Sequence, residues 1–330
     1  MNSTHPKLAA PGTSFEQEVA GRFGLLPNFF CSAADAPGLI QELWSFAKAA
    51  YLDNPLPSAF KERLFVHVSR FCEVRYCVIR HVGFLVGFGN AAGDRSVPPH
   101  TVSQALALLS RAVPSGSEME ATILRLETVP GGEVPAPETQ LEGDLFDALA
   151  AVFLKPVGTE RARRAARHCL GAVAFEYTMA LLAFVRTAHY WTETHPDLGC
   201  EQDMVLLMKE HPDLARLLMN DPEAQAATLK FQIGQALVET QKRAAELAAI
   251  VESSNDAIIS KDLDGIITSW NTAASRVFGF SAEEIIGKSV LTLIPEHLRD
   301  EEPRIIEKIR AGQRVEHFET LRRRKDGRLF

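Results

Sequence analysis

The residues from Ala226 to Ser254 most constrain what this chain can fold into, because they predict a long polar helix with a narrow apolar seam. The seam residues alternate spacings of four and three, the pattern of a coiled-coil contact face: Ile233, Leu237, Thr240, Ala244, Leu247 and Val251. A helix inside a globular core needs a wider apolar face. We therefore predict a coiled-coil linker helix over 226–254 that pairs two copies of the chain and separates two domains. The alternative is an amphipathic helix that lies on its own domain.

Composition limits the class of protein. A chain of 330 residues is long enough for two domains, each with its own core. The net charge of -7 gives no electrostatic reason to expect nucleic acid or an anionic membrane as a partner. Five irregularly spaced cysteines do not form a secreted disulfide framework, so we expect a cytoplasmic protein.

The first part of the chain predicts an all-α domain over 15–225, after a disordered tail at 1–14. Its apolar spacing is helical, and clusters of Pro, Gly and short polar residues divide it into helices. The apolar segment 169–185 is shorter than the roughly 20 residues of a membrane span, and Glu176 interrupts it. We expect a helix at the centre of the domain, with a partner for a buried Glu176.

Cys77, His81 and Glu62 are the candidate catalytic or redox residues. Cys77 and His81 are four residues apart and so share one helix face, where an imidazole can take the thiol proton. Glu62, on the preceding helix, can orient that imidazole. Two alternatives stay open. One is a structural cysteine beside a core histidine, and the other is a metal site that adds His67.

The segments around these residues resemble the alkylhydroperoxidase D-like and carboxymuconolactone decarboxylase-like superfamily. The signature of that superfamily is Glu, eleven residues, Cys-x-x-Cys, three residues, His. Glu62, Cys77 and His81 match it, and Val74 stands in the place of the first Cys. The resemblance covers about 15–190 and implies a helical, self-associating domain. Peroxidases of the superfamily use two thiols. Because this chain lacks the first of them, we do not expect dithiol turnover.

Cys72 is the other thiol near Cys77. On a continuous helix, five residues rise about 7.5 Å, which exceeds the usual Cα separation of a disulfide. Unless the chain turns between them, Cys72 therefore cannot resolve an oxidised Cys77. A single thiol that forms a sulfenic acid suits a sensor better than a catalyst.

The pattern changes to α+β after Ser254. Two apolar runs flank the turn 262–265 and predict a β-hairpin, followed by short helices, a helix at 298–311, a strand at 314–324 and a second hairpin turn at 325–327. This segment resembles a PAS domain of bacterial sensor proteins over 248–330. We assign the domain to 255–330, with an incomplete antiparallel sheet. We also expect the natural chain to continue past Phe330.

The PAS resemblance also bears on cofactors, and none is predicted. Haem-binding PAS sensors carry an axial His on the helix after Ile-Pro-Glu, where this chain has Glu302, and His297 belongs to the entry loop. Light sensors that bind flavin use a Cys, and the chain has none after Cys200. Haem and photoactive flavin are therefore not expected.

Together these features predict a multi-domain sensory protein of a two-component system. A degenerate alkylhydroperoxidase D-like input domain is joined by a linker helix to a PAS domain. We expect a homo-oligomer formed through the linker helix and the helical domain, with a histidine kinase or similar output and no nucleic acid or membrane partner. The alternative is a thiol peroxidase or decarboxylase-like enzyme regulated by the PAS domain.

Overall fold

The computed structural model describes residues 13–33, 35–73, 75–155, 158–219, 222–310, 313, 315 and 319–330, with no side chains given for 222–224. The predicted tail at 1–14 therefore lies almost wholly outside the described residues. The chain divides into two compact units, the first ending at Thr240 and the second beginning at Gln241. The first unit thus extends beyond the boundary at 225 expected from the sequence.

The described part of the first unit is helical, as the apolar spacing predicted. Its helices are α1 (Ser14–Phe23), α2 (Pro37–Ala47), α3 (Ser58–Ser69), α4 (Tyr76–Leu85), α5 (Val102–Leu109), α6 (Gly116–Thr128), α7 (Gln140–Leu154), α8 (Glu160–Glu193), α9 (Gln202–Glu210) and α10 (Pro212–Met219). The contacts between α3 and α4 and those among α6, α7 and α8 form the centre of the unit.

Local sequence signals explain where several of these helices begin. Thr13, Thr101 and Ser115 cap α1, α5 and α6, and in each case the Glu or Gln three residues later bonds back to the cap. Pro37 lies in the first turn of α2, where its missing N–H costs no helical hydrogen bond. The helix starts therefore follow from short-range chemistry.

Helix α8 is not the uniformly buried helix that we expected. Gly171 has φ 74° and ψ 165°, which breaks the helix into two segments. Glu176 is on the surface and pairs with Arg167 at 2.7 Å, so the expectation of a buried Glu176 is wrong. Among the described helices, α8 alone is long and apolar enough to cross a membrane, and its inner face packs on α6 and α7. Length and composition alone are weak indications, since a core helix passes the same test.

The seam of the predicted linker divides into two halves. It lies on α11 (Pro222–Ser253). Ile233 and Leu237 are 3% and 4% exposed and belong to the core of the helical unit. Thr240 is 7% exposed; its Oγ1 donates to Ala236 O at 2.8 Å and lies 3.2 Å from Gly116 O of the helical unit. The prediction that these residues face a second copy is wrong for this half, because their own domain covers them. Leu247, in contrast, is 63% exposed.

The second unit contains the predicted hairpin. β1 (Ile259–Lys261) pairs antiparallel with β2 (Ile267–Trp270), and Gly265 in the connecting turn has φ 76°. Helices α12 (Thr272–Phe278), α13 (Ala282–Ile285) and α14 (Glu301–Arg310) follow. Arg323 bridges Leu329 across the second predicted turn. Residues 314 and 316–318 of the predicted strand 314–324 lie outside the described residues.

The side chain of Asn271 joins several backbone segments of the second unit. Its Nδ2 donates to Val251 O, in the last turn of α11, and to Asp256 O, both at 2.9 Å. Its Oδ1 accepts from Ile258 N at 3.0 Å and from Ala274 N, in the first turn of α12, at 2.9 Å. All four hydrogen-bonding positions of this buried amide are therefore used.

Candidate functional site

Helices α3 and α4 bring Glu62 and His81 together, as the sequence predicted. Glu62 Oε1 lies 2.5 Å from His81 Nδ1, and Glu62 is fully buried. Because an ionised carboxylate only accepts, Nδ1–H donates to Glu62. This hydrogen bond fixes the orientation of the His81 ring. It uses Nδ1, so Nε2 is the ring nitrogen that Glu62 does not contact. The His81 ring also stacks on Phe65, with centroids 3.4 Å apart.

Two further partners of Glu62 were not identified from the sequence. The hydroxyl of Tyr51 donates to Glu62 Oε2, and Ala92 N–H donates to the same oxygen at 2.6 Å. Burial, together with the neighbouring carboxylate, raises the pKa of Tyr51 well above its usual range. Tyr51 and Ala92 lie outside the α3–α4 segment, so no spacing within that segment could have indicated them.

Cys77 has a different environment from the one that its spacing to His81 predicted. Its Sγ lies 3.4 Å from Thr192 Oγ1 on α8, and that hydroxyl donates its own proton to Ala188 O at 2.8 Å. The thiol therefore donates to Thr192. Burial raises the pKa of Cys77 to about 12. This direction is opposite to that of a thiol activated by an imidazole, because desolvation of the thiolate dominates.

Cys77 and His81 nevertheless line one cavity. Its walls include Phe29, Tyr76 and Phe84, and its volume is about 30 Å³. A buried water molecule needs about 10–15 Å³ on this measure, so the cavity accepts a molecule the size of water or hydrogen peroxide.

The segment between Cys72 and Cys77 is not a continuous helix. α3 ends at Ser69 and α4 begins at Tyr76, so the chain turns between the two thiols. The helical-rise argument against their pairing therefore does not apply. Cys72 Sγ lies 3.8 Å from Glu193 Oε1, next to the Thr192 that Cys77 contacts. Val74, which stands in the place of the family's first Cys, lies outside the described residues.

His67 does not join the other candidate residues. It is fully buried near Phe71 and Phe146, and its Nε2 lies 3.7 Å from Asp147 Oδ1. Within the described ranges, no three His, Cys, Asp or Glu side chains are arranged to hold a metal ion. The metal-site alternative that included His67 is therefore not supported by this arrangement.

A second buried imidazole, that of His189, lies close to the site. It should make the stability of the fold depend on pH. Its Nε2 lies 2.8 Å from Ser69 Oγ, and burial lowers its pKa to about 3. An unfolded histidine has a pKa of about 6.5. The unfolded chain therefore takes up this proton first as the pH falls. The stability contribution of neutral His189 is complete above about pH 6.5 and is lost progressively down to about pH 3.

We expect His189→Gln to flatten the acid dependence of stability. In the native protein, the free energy of unfolding should fall as the pH is lowered from 6.5 to 4. His189 should contribute up to about 1.4 kcal/mol per pH unit to this slope. Urea denaturation at several pH values measures the slope. His168→Gln, on the exposed side of α8, should keep the native slope. Equal slopes for native protein and His189→Gln would contradict a buried, neutral His189.

Glu302 and His297 of the second unit lie in different environments. Glu302 is 7% exposed and pairs with Lys261. His297 lies in a short 3-10 turn at the surface. The structure therefore places an ion pair at the position where haem sensors carry their axial ligand.

Comparison with known proteins assigns the second unit. A family model described as PAS fold matches residues 245–330. The chain is similar to phytochrome A of Zea mays, 30% identical over 89 residues, which are 25% of this chain and 8% of that protein. It is also similar to phytochrome A type 4 of Avena sativa, 31% identical over 74 residues, or 21% of this chain and 7% of that protein. This chain thus spans less than a tenth of either relative.

Proposed function

We propose, from the PAS domain that residues 245–330 form, that this protein is a cytoplasmic sensor with a helical input domain. A PAS domain implies a sensory or signalling role. The input domain would be of the alkylhydroperoxidase D-like type, and the output would be a histidine kinase or a similar regulator. The observation that carries the proposal is α11, since Leu237 lies in the core of the helical unit and Val251 is hydrogen-bonded within the PAS unit.

The same helix supplies the route for a signal. A change in packing around Leu237 has to move or loosen α11, because the side chain is 4% exposed and cannot shift independently. The end of α11 is bonded to Asn271, which also holds the start of α12. A displacement of the helix would therefore reach the start of α12 through the hydrogen bonds of the Asn271 side chain.

We expect Leu237→Ala to change amide hydrogen exchange in the PAS hairpin. The substitution leaves a cavity in the helical unit and loosens α11 where it is anchored. Val238→Ala is the matched control, since Val238 is the next residue and is 57% exposed. Exchange measured by mass spectrometry over 257–270 should increase for Leu237→Ala alone. Unchanged exchange in that variant, with the helical unit loosened, would contradict transmission through α11.

The alternative is a thiol peroxidase, and the Glu62–His81 pair favours it. His81 Nε2 could take the thiol proton while Cys77 Sγ attacks a hydroperoxide, giving a sulfenic acid and an alcohol or water. Two observations argue against turnover. Burial raises the pKa of Cys77 to about 12, and its thiol is hydrogen-bonded to Thr192. Hydroperoxide consumption with a dithiol reductant separates the two functions. Sustained turnover would support the enzyme.

Pairing of two copies through the exposed half of the seam is a further part of the proposal. Leu247→Glu should weaken association, because it places a charge where two apolar faces would meet. Val238→Glu is the control, since Val238 is similarly exposed but lies off the seam. Sedimentation of the full chain should show a lower mass for Leu247→Glu alone. Equal masses for both variants and the native chain would contradict pairing through this half.

A further inference from the structure

A cleft away from Cys77 has the composition of a binding site for a small molecule. Its volume is about 510 Å³, within the range of about 300–1,000 Å³ typical of ligand sites. It lies between α3, α5 and α7. Leu108 and Phe146 contribute apolar surface to it, while Arg63 and Arg111 contribute charge.

The two arginines are held in the same way. Arg63 uses Nε and Nη2 to bind Glu142 at 2.9 and 2.7 Å. Arg111 uses Nε and Nη2 to bind Asp147, with a shortest distance of 2.7 Å. Both carboxylates belong to α7 and are buried. Each guanidinium is thus fixed by one edge, and Nη1 on the other edge is left with no acceptor within hydrogen-bond distance in the part of the chain that the structure describes.

Gly143 makes room for one of these guanidinium groups. A Cβ at this position would lie 2.5 Å from Arg111 Nη1 and 2.6 Å from Arg111 Cζ. The guanidinium therefore lies directly over the α7 backbone, inside the cleft. Any side chain at 143 would displace it.

Glu138 supplies the opposite charge. Its φ of 64° is uncommon for a residue other than glycine, and its N–H donates to Glu142 Oε2 at 2.8 Å. The carboxylate is about half exposed, and its nearest cation is Arg63 Nη1 at 3.8 Å, which is beyond hydrogen-bond distance. A strained backbone thus holds a weakly paired carboxylate at the rim of the cleft.

From this arrangement we infer that the cleft binds a small zwitterion of the amino-acid type with an apolar side chain. The lining carries two positive groups, Arg63 and Arg111, and two negative ones, Glu138 and Glu142. Glu142 and the buried Asp147 already neutralise the two guanidinium groups, so the cleft offers the Nη1 donors to a carboxylate and the carboxylate of Glu138 to an ammonium group. A zwitterion places its carboxylate on the Nη1 donors, its ammonium on Glu138 and its side chain on Phe146 and Leu108. This would give the helical domain a ligand independent of Cys77.

Calorimetry of the full chain with three matched probes tests the inference. L-leucine carries both charges, 4-methylpentanoate lacks the ammonium, and 3-methylbutylamine lacks the carboxylate. We expect L-leucine to bind about two- to fivefold more tightly than either analogue, since an ion pair with a half-exposed carboxylate contributes up to about 1 kcal/mol. No binding of L-leucine at millimolar concentration, or equal binding of an analogue, would overturn the inference.

Variants locate the site. Glu138→Gln should weaken L-leucine binding about two- to fivefold without changing the affinity for 4-methylpentanoate. Gly143→Ala should weaken both, because it displaces Arg111. Glu133→Gln, in the same exposed loop, is the control and should bind as the native chain does. L-leucine binding that is unaffected by both Glu138→Gln and Gly143→Ala would place the site elsewhere and refute the proposal.

Discussion

Cys77 is expected to react with iodoacetamide at least about 100-fold more slowly than Cys31 in the folded protein near neutral pH. The thiolate is the reacting species, and each unit of pKa changes its population about tenfold. Burial raises the pKa of Cys77 to about 12, whereas Cys31 is exposed at the surface and its pKa is raised less. Burial also restricts access to Cys77. Timed alkylation followed by peptide mass spectrometry measures both rates in one sample.

The variant His81→Gln separates this expectation from activation by His81. Gln fills a similar volume, so the cavity beside Cys77 stays closed. We expect the alkylation rate of Cys77 to change less than about threefold, because its thiol is bonded to Thr192. A much larger fall in rate would mean that His81 does generate the thiolate. Cys77 reacting as fast as Cys31 in the native protein would contradict the closed, protonated site.

Glu62→Ala should destabilise the helical domain by about 3–5 kcal/mol, because each buried donor that is left without an acceptor costs about 1–3 kcal/mol. The substitution leaves His81 Nδ1, the Tyr51 hydroxyl and Ala92 N–H without their acceptor in a fully buried place. Glu62→Gln keeps the volume and one oxygen acceptor, so it should cost less, about 1–3 kcal/mol. Urea denaturation monitored by far-ultraviolet circular dichroism gives both values.

The matched control is Glu176→Ala. Glu176 pairs with Arg167, but its side chain is 66% exposed, unlike that of Glu62. Water replaces the lost contact there, so the expected cost is below about 1 kcal/mol. Equal costs for Glu62→Ala and Glu176→Ala would show that the Glu62 carboxylate is not held by its buried partners.

Local chemistry explains which parts of the fold could be predicted from the sequence. The hairpin at 259–270 depends on a glycine with positive φ between two β-branched runs, and the caps of α1, α5 and α6 depend on residues three positions apart. Both partners of each such interaction lie within a few residues of one another. The sequence therefore predicts these turns and helix starts directly.

Tertiary packing explains what could not be predicted. The spacing of Ile233, Leu237 and Thr240 fits a second chain or the chain's own domain equally well, and only the fold shows that the domain covers it. The same holds for Cys77. Its distance along α4 from His81 follows from the sequence, but its burial against Thr192, 115 residues away, does not. Glu176 lies on the outer face of α8 while Phe175 and Thr178 are buried, and an apolar run by itself does not show which face of the helix is covered.

Asn271 makes local unfolding in the second unit cooperative. Fraying of the last turn of α11 breaks its bond to Val251 O, and the freed amide then holds Ile258 and Ala274 less firmly. The end of the helix, the start of the hairpin and the start of α12 should therefore open together, with one shared free energy instead of three separate ones. An aspartate at this position would face two carbonyl oxygens with no proton to donate. Of the residues with a side chain of this length, only asparagine can close all four bonds.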